Sequence, residues 1–129
     1  MFNPITIPFG SKMLFNGVKL KPGVTIADIE LAIGEMCHVV KETYGHEAGG
    51  FLAGQVFSFS GFVSAEGSVN PVKEPDYDVA IITYWSSFEL HEKSHADKAF
   101  KERFAALAGM TTSTFELGFD MLWQGVPEE

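Results

Sequence analysis

The chain has 129 residues, 46% hydrophobic and 13% aromatic, with a formal net charge of −8. This fits a single globular domain, residues 1–129, and excludes a disordered chain. The nine Lys and Arg residues form no basic cluster, which argues against nucleic acid or an anionic membrane as partner. No apolar run approaches the ~20 residues that a membrane helix needs. The first ten residues lack a basic region and are interrupted by Pro4 and Pro8, so they do not read as a signal peptide. The lone cysteine, Cys37, precludes an internal disulfide and points to the reducing cytoplasm.

In chain order, residues 11–21 are expected to form a strand that turns at Pro22-Gly23. Thr25 then caps a helix, and Asp28 three residues on supplies a weaker form of the capping box. Ile29, Ile33, Met36, Cys37, Val40 and Tyr44 fall on one stripe at helical spacing, and Gly45 ends the helix. Residues 51–59 read as a second strand with Phe51, Ala53, Phe57 and Phe59 on one face. Residues 60–76 read as a long loop, of a length that is often functional in a compact domain.

Residues 77–85 form a third strand, apolar on both faces and therefore central. Ser86 with Glu89 makes a capping box that opens a helix running to about Leu107, stopped by Gly109. Residues 111–123 close the domain as a strand. Phe115, Leu117, Phe119, Met121 and Trp123 point one way along it, and Glu116, Gly118 and Asp120 the other.

The order β-α-β-β-α-β predicts an α+β, ferredoxin-like fold: an antiparallel sheet with two helices on one face. The uncovered sheet face would expose aromatic residues. Burying it against a second copy predicts a homodimer or larger homo-oligomer, a dimeric α/β barrel.

Within "TYWSSFELHEKSH", His91 and His95 stand four residues apart, on one face of a helix and about 6 Å apart at Cβ. Two imidazoles so placed can reach one metal ion. With a carboxylate they make the facial set that leaves positions open on Fe(II), or on Zn(II) for water. The competing reading is a solvated pair on an acidic helix. In an unbroken helix the pair lies opposite the Phe100, Phe104 and Leu107 stripe, so the histidines face outward unless the helix is irregular there.

The same residues match H-E-x-x-H of zinc metallopeptidases, with Glu92 as general base and Glu116, 21 residues past His95, as third ligand. In such peptidases that glutamate comes from a helix, whereas Glu116 is expected on a strand. His38 and His46 read as exposed, Trp85 and Phe88 as core, and Met110, Met121 and Trp123 as core or interface. Cys37 reads either as a small core hydrophobe or as a functional thiol.

Several stretches resemble the sulfur oxygenase reductases, a family of mononuclear non-haem iron enzymes. In "TYWSSFELHEKSH" the residues Trp85, Phe88, His91, Glu92 and His95 match the family's first and second iron-ligand histidines and their flanks without a gap. "MCHVV" matches the setting of its essential cysteine at Cys37. "GGFLAGQ" resembles its Gly-Phe stretch opening the second strand. "FELGFDMLWQGVP" matches the context of its iron-ligand glutamate at Glu116, after a short gap.

The resemblance implies iron held by His91, His95 and Glu116, with Asp120 as the fallback carboxylate. It also implies O₂-dependent oxidation of inorganic sulfur, with Cys37 carrying the substrate as a persulfide. Members of that family are longer, built from two ferredoxin-like halves and assembled into hollow shells; this chain resembles the first half. The fold with a Trp-Ser step into the second helix also resembles small dimeric α/β-barrel monooxygenases of antibiotic biosynthesis and haem degradation. Asn16 falls where the haem-degrading group holds a functional asparagine, but that group's Trp and distant His have no matching positions. This leaves a metal-free monooxygenase or small-molecule binder as the alternative.

Overall fold

The computed structural model describes residues 4–45, 49–70 and 75–128. Its elements run β1 (Lys12–Leu20), α1 (Ile26–Tyr44), β2 (Phe51–Ser58), β3 (Val79–Trp85), α2 (Phe88–His95), α3 (Lys98–Ala108) and β4 (Thr111–Asp120). The four strands lie in the order β2-β3-β1-β4, every pairing antiparallel, so the first strand sits between the third and the last. This is the ferredoxin-like fold expected, with the second helix divided in two. Among the described residues, no helix is long and apolar enough to cross a membrane.

α1 begins at the expected cap. The Thr25 hydroxyl accepts the Asp28 amide, and the Asp28 carboxylate accepts the Thr25 amide in return. Its buried stripe, Ile29, Ala32, Ile33, Met36 and Val40, packs on the sheet in two clusters. One gathers Val18, Val79, Ile81 and Leu107; the other gathers Leu14 and Trp85 with Phe51, Phe88 and Leu90 around them. Burial of these side chains at ~25 cal/mol per Å² is what holds the helices to the sheet.

Strand register assigns the faces. Leu14 lies opposite Gly118, Asn16 opposite Glu116 and Val18 opposite Thr114, so the other four share the helix-covered face with the buried Leu14 and Val18. Phe15 lies opposite Leu117, and Gly17 opposite Phe115, on the other face. There the rings of Phe15, Tyr77 and Phe115 pack together at centroid separations of 5.6–6.1 Å. Gly17 leaves the space that the Phe115 ring fills: a Cβ there would meet the ring, which would have to shift. Phe57, Leu117 and Phe119 stay exposed.

Four expectations are corrected. The helix expected from Ser86 to Leu107 breaks at Ala96-Asp97. The amides of Ala96 and Asp97 turn to the carbonyls of Lys93 and Ser94, and the Asp97 carboxylate caps the amides of Ala99 and Phe100. Its other oxygen accepts the Tyr44 hydroxyl from α1. The cap of α2 is Ser87, whose hydroxyl accepts the Leu90 amide, so Glu89 is one residue too early to close a box with it.

The last strand stops at Asp120 because its partner starts there: Lys12, opposite Asp120, is the first residue of β1, after a turn at Gly10. Trp123 is exposed beyond it. A register shift between Phe51 and Ala53 puts Phe51 against Trp85 on the helix side, parted from Ala53, which lies opposite Tyr84. Residues 60–70, within the expected loop, carry no helix or strand, and neither do 75 and 76. His38 is exposed as expected, and His46 lies outside the described residues.

Asp97→Ala removes the cap of α3 and the acceptor for Tyr44. It is expected to lower unfolding free energy by about 1–2 kcal/mol in urea titration; an unchanged midpoint would show that the break is held by other contacts.

Candidate metal centre

The divided helix settles where the histidines face. α2 carries His91 and His95 on its own axis, no longer bound to the phase of the Phe100–Leu107 stripe on α3. His91 is buried, with its ring edge-on to Trp85 at 5.2 Å and to His95 at 4.3 Å. His95 stacks on Phe100 at 4.8 Å, nearly parallel. Ser94, also buried, ties its hydroxyl to the His91 carbonyl.

The carboxylate arrives from β4. Glu116 shares the helix-covered face, and its neighbour Gly118 leaves room for α2. A Cβ on Gly118 would lie 2.8 Å from the end of the Phe88 ring, so the missing side chain leaves room for that ring at the start of α2. Glu116 Oε2 lies 3.2 Å from His91 Nε2, and Oε1 lies 3.7 Å from His95 Nε2. Glu92 Oε1 lies 3.1 Å from His91 Nδ1. One ligand atom from each of His91, Glu92, His95 and Glu116 falls within 4.8 Å of the others.

Ligands ~2.0–2.2 Å from a common ion sit roughly 3–3.5 Å apart; the His91–Glu116 contact falls in that range and the His95–Glu116 contact lies just beyond it, so a small closure would set His91, His95 and Glu116 around a cation. The 3.2 Å contact is equally a histidine–carboxylate hydrogen bond, so the geometry at His91 fits both. Side-chain exposure grades outward: 3% for His91, 27% for Glu116, 34% for His95 and 71% for Glu92. Burial pushes His95 below its ordinary imidazole value, and His91 adds to this, against the pull of the Glu116 and Glu92 carboxylates. That favours the neutral ring, the form that binds a metal.

The remaining candidates lie apart. Asp120 shares the face of Glu116 but pairs with Lys12 at 2.7 Å, so Glu116, not Asp120, is the carboxylate brought to the histidines. Cys37 lies outside the group; it packs against the cluster of Val18, Ile29 and Leu107, and burial pushes its thiol up. Asn16 spends its amide on the Ile81 carbonyl. Two surface concavities lie elsewhere, one of about 610 Å³ beside Lys19, Phe59 and Asp78, one of about 340 Å³ beside Leu31, His38 and Arg103. Sequence reasoning gave Glu92 no part in the iron reading. The signal for one was its place beside a ligand histidine within H-E-x-x-H.

No protein-family model matches the chain, and no curated protein matches it. Solved structures do match in fold. A dimeric ferredoxin-like protein of unknown function from Thermobifida fusca aligns at a TM-score of 0.63 and 10% identity, over 94% of this chain and 100% of its own. SnoaB, a cofactor-independent oxygenase from Streptomyces nogalater, aligns at 0.66 and 13%, over 92% and 99%. A candidate antibiotic biosynthesis monooxygenase from Caulobacter crescentus aligns at 0.63 and 16%, over 89% and 92%. At these identities the likeness establishes the fold alone. It agrees with the expected ferredoxin-like class, and the resemblance to sulfur oxygenase reductases rests on the residues quoted for it.

A thiol that carries substrate has to be reachable and partly ionised. Cys37 is expected to react slowly with a thiol reagent at pH 8 in the folded protein and fully, as one thiol per chain, in guanidinium. Equal rates in both states would show a reachable thiol, which a sulfur carrier requires.

Proposed function

We propose that the chain is a mononuclear non-haem iron oxygenase acting on a small molecule with O₂. The observation that carries this is the convergence of two histidines from α2 and one glutamate from β4, at a place where a buried imidazole and a partly covered carboxylate need partners. A bound Fe(II) supplies open positions at which O₂ and substrate can meet. His91 would hold the ion from the buried side, Glu116 would supply the balancing charge, and His95 would complete the set at the exposed side. Zinc is the alternative occupant, since the donors suit it equally.

Inorganic sulfur is the substrate that the sequence resemblance implies. The partial burial of Cys37 against a core cluster, which pushes its thiol up, does not favour the thiol chemistry this would need, and small-molecule oxygenation is the broader proposal. A second reading has its own support: SnoaB, of the same fold, is a cofactor-independent oxygenase. In that case the His95–Glu116 pair, with its largely neutral ring, would serve as a base that ionises the substrate.

The measurement that separates them is metal content by plasma mass spectrometry on protein purified without oxygen. Iron near one equivalent per chain is expected, lost in His91→Ala and Glu116→Ala and kept in Asp120→Ala. Stoichiometric zinc would move the zinc reading forward. Metal-free protein that oxidises its substrate, unaffected by chelators, would refute the metal centre and support the second reading.

The same reading includes a homodimer. Phe57, Leu117 and Phe119 lie exposed on the sheet face without helices, and an aromatic face of this kind is seldom left in water. The Thermobifida fusca protein of this fold is described as dimeric. Wild-type protein is expected at twice the chain mass in light scattering, and Leu117→Lys with Phe119→Lys at the mass of one chain. A monomeric wild type would sink this arrangement.

A further inference from the structure

Glu92 follows His91 directly, and consecutive residues on a helix project about 100° apart, so their side chains do not ordinarily meet. Here they do. Glu92 places Oε1 3.1 Å from Nδ1 of His91, although most of its side chain stands in water. The His91 ring is therefore met by a carboxylate at each nitrogen, Glu92 at Nδ1 and Glu116 at Nε2. The two carboxylates differ in setting: Glu116 is half-buried beneath α2, and Glu92 is at the surface.

A buried imidazole that gives one nitrogen to a cation carries its proton on the other, and that N–H needs an acceptor. A carboxylate in that position fixes the tautomer, holds the ring in plane with the cation and makes the coordinating nitrogen more basic. We infer that Glu92 is a positioning residue for the metal centre: it accepts the Nδ1–H of His91 and so leaves Nε2 as the atom presented beside Glu116. This rests on the reading of His91, His95 and Glu116 as metal ligands. It gives the glutamate of "HEKSH" a task different from that of a peptidase base, which would act on a water, and from that of a fourth ligand.

The three roles separate by substitution. Gln in place of Glu92 keeps an oxygen that can accept the Nδ1–H; Ala does not. As an exposed group, Glu92 adds little to fold stability, so both variants are expected to melt with the wild type when metal-free. Affinity for Zn(II) is measured by competition with a chromogenic chelator, and His91 coordination by nitrogen NMR of the histidine rings in zinc-loaded protein.

The expected result is a roughly 10–100-fold loss of affinity in Glu92→Ala, most of it recovered in Glu92→Gln, with His91 of the wild type bound through Nε2 and protonated at Nδ1. Equal affinity of Glu92→Ala and wild type would overturn the inference while leaving the metal centre standing. So would Glu92→Gln as weak as Glu92→Ala, or coordination of His91 through Nδ1. Loss of metal in Glu92→Ala as complete as in Glu116→Ala would make Glu92 a ligand and overturn it too. A wild type that binds no zinc or iron would take both readings down together.

Discussion

The turn at Ala96 and Asp97 decides which way the histidines face. A continuous helix has one buried stripe, and Phe100 and Leu107 occupy it. With the axis interrupted, the residues before the break take a stripe of their own, and His91 and Ser94 become buried ahead of it. Asp97 holds the interruption from both sides: it caps the helix that follows and receives the hydroxyl of Tyr44 from the neighbouring helix. Every later feature of the site depends on that: the ring of His91 under Trp85, its approach to Glu116 and the stacking of His95 on Phe100.

The strand contributes the complementary half. Glu116 alternates with the exposed aromatic residues of its strand and so shares a face with Leu14 and Val18. A carboxylate there is partly covered and loses some of its water, and histidine nitrogens replace part of what it loses. Gly118, two residues on, leaves room for the Phe88 ring at the start of α2. Polar pairing and a missing side chain thus act together on one strand face, one drawing the helix in and the other making room for it.

Much of this was written in the sequence. Alternation put Glu116 and Gly118 opposite the aromatic residues of their strand, and Thr25 with Asp28 marked the start of the first helix. Four-residue spacing put His91 and His95 on one side of a helix. The break itself was hidden, because residues 94–98 contain neither glycine nor proline and every residue there is tolerated in a helix. What remained visible was a conflict of phase between the histidine pair and the phenylalanine stripe, and the break resolves it. The cap at Ser87 instead of Ser86 and the register shift after Phe51 depend on tertiary contacts, such as the Phe51 ring against Trp85 and the Ser86 amide on the Gly50 carbonyl, that no local pattern encodes. The pairing of Asp120 with Lys12 depends on strand register and likewise could not be read locally.

The second helix has eight residues. Helices shorter than about 12–15 residues are marginal in water by themselves, and this one carries a largely polar sequence. Its order is therefore borrowed from the groups it touches: the cap at one end, the turn at the other, and the cluster of imidazoles and carboxylates between. Whatever occupies that cluster is tied to the folding of this one segment more closely than to the folding of the domain. Amide exchange along residues 88–95 would register occupancy while the slow-exchanging sheet stayed indifferent to it, which makes the segment a local gauge of what the site holds.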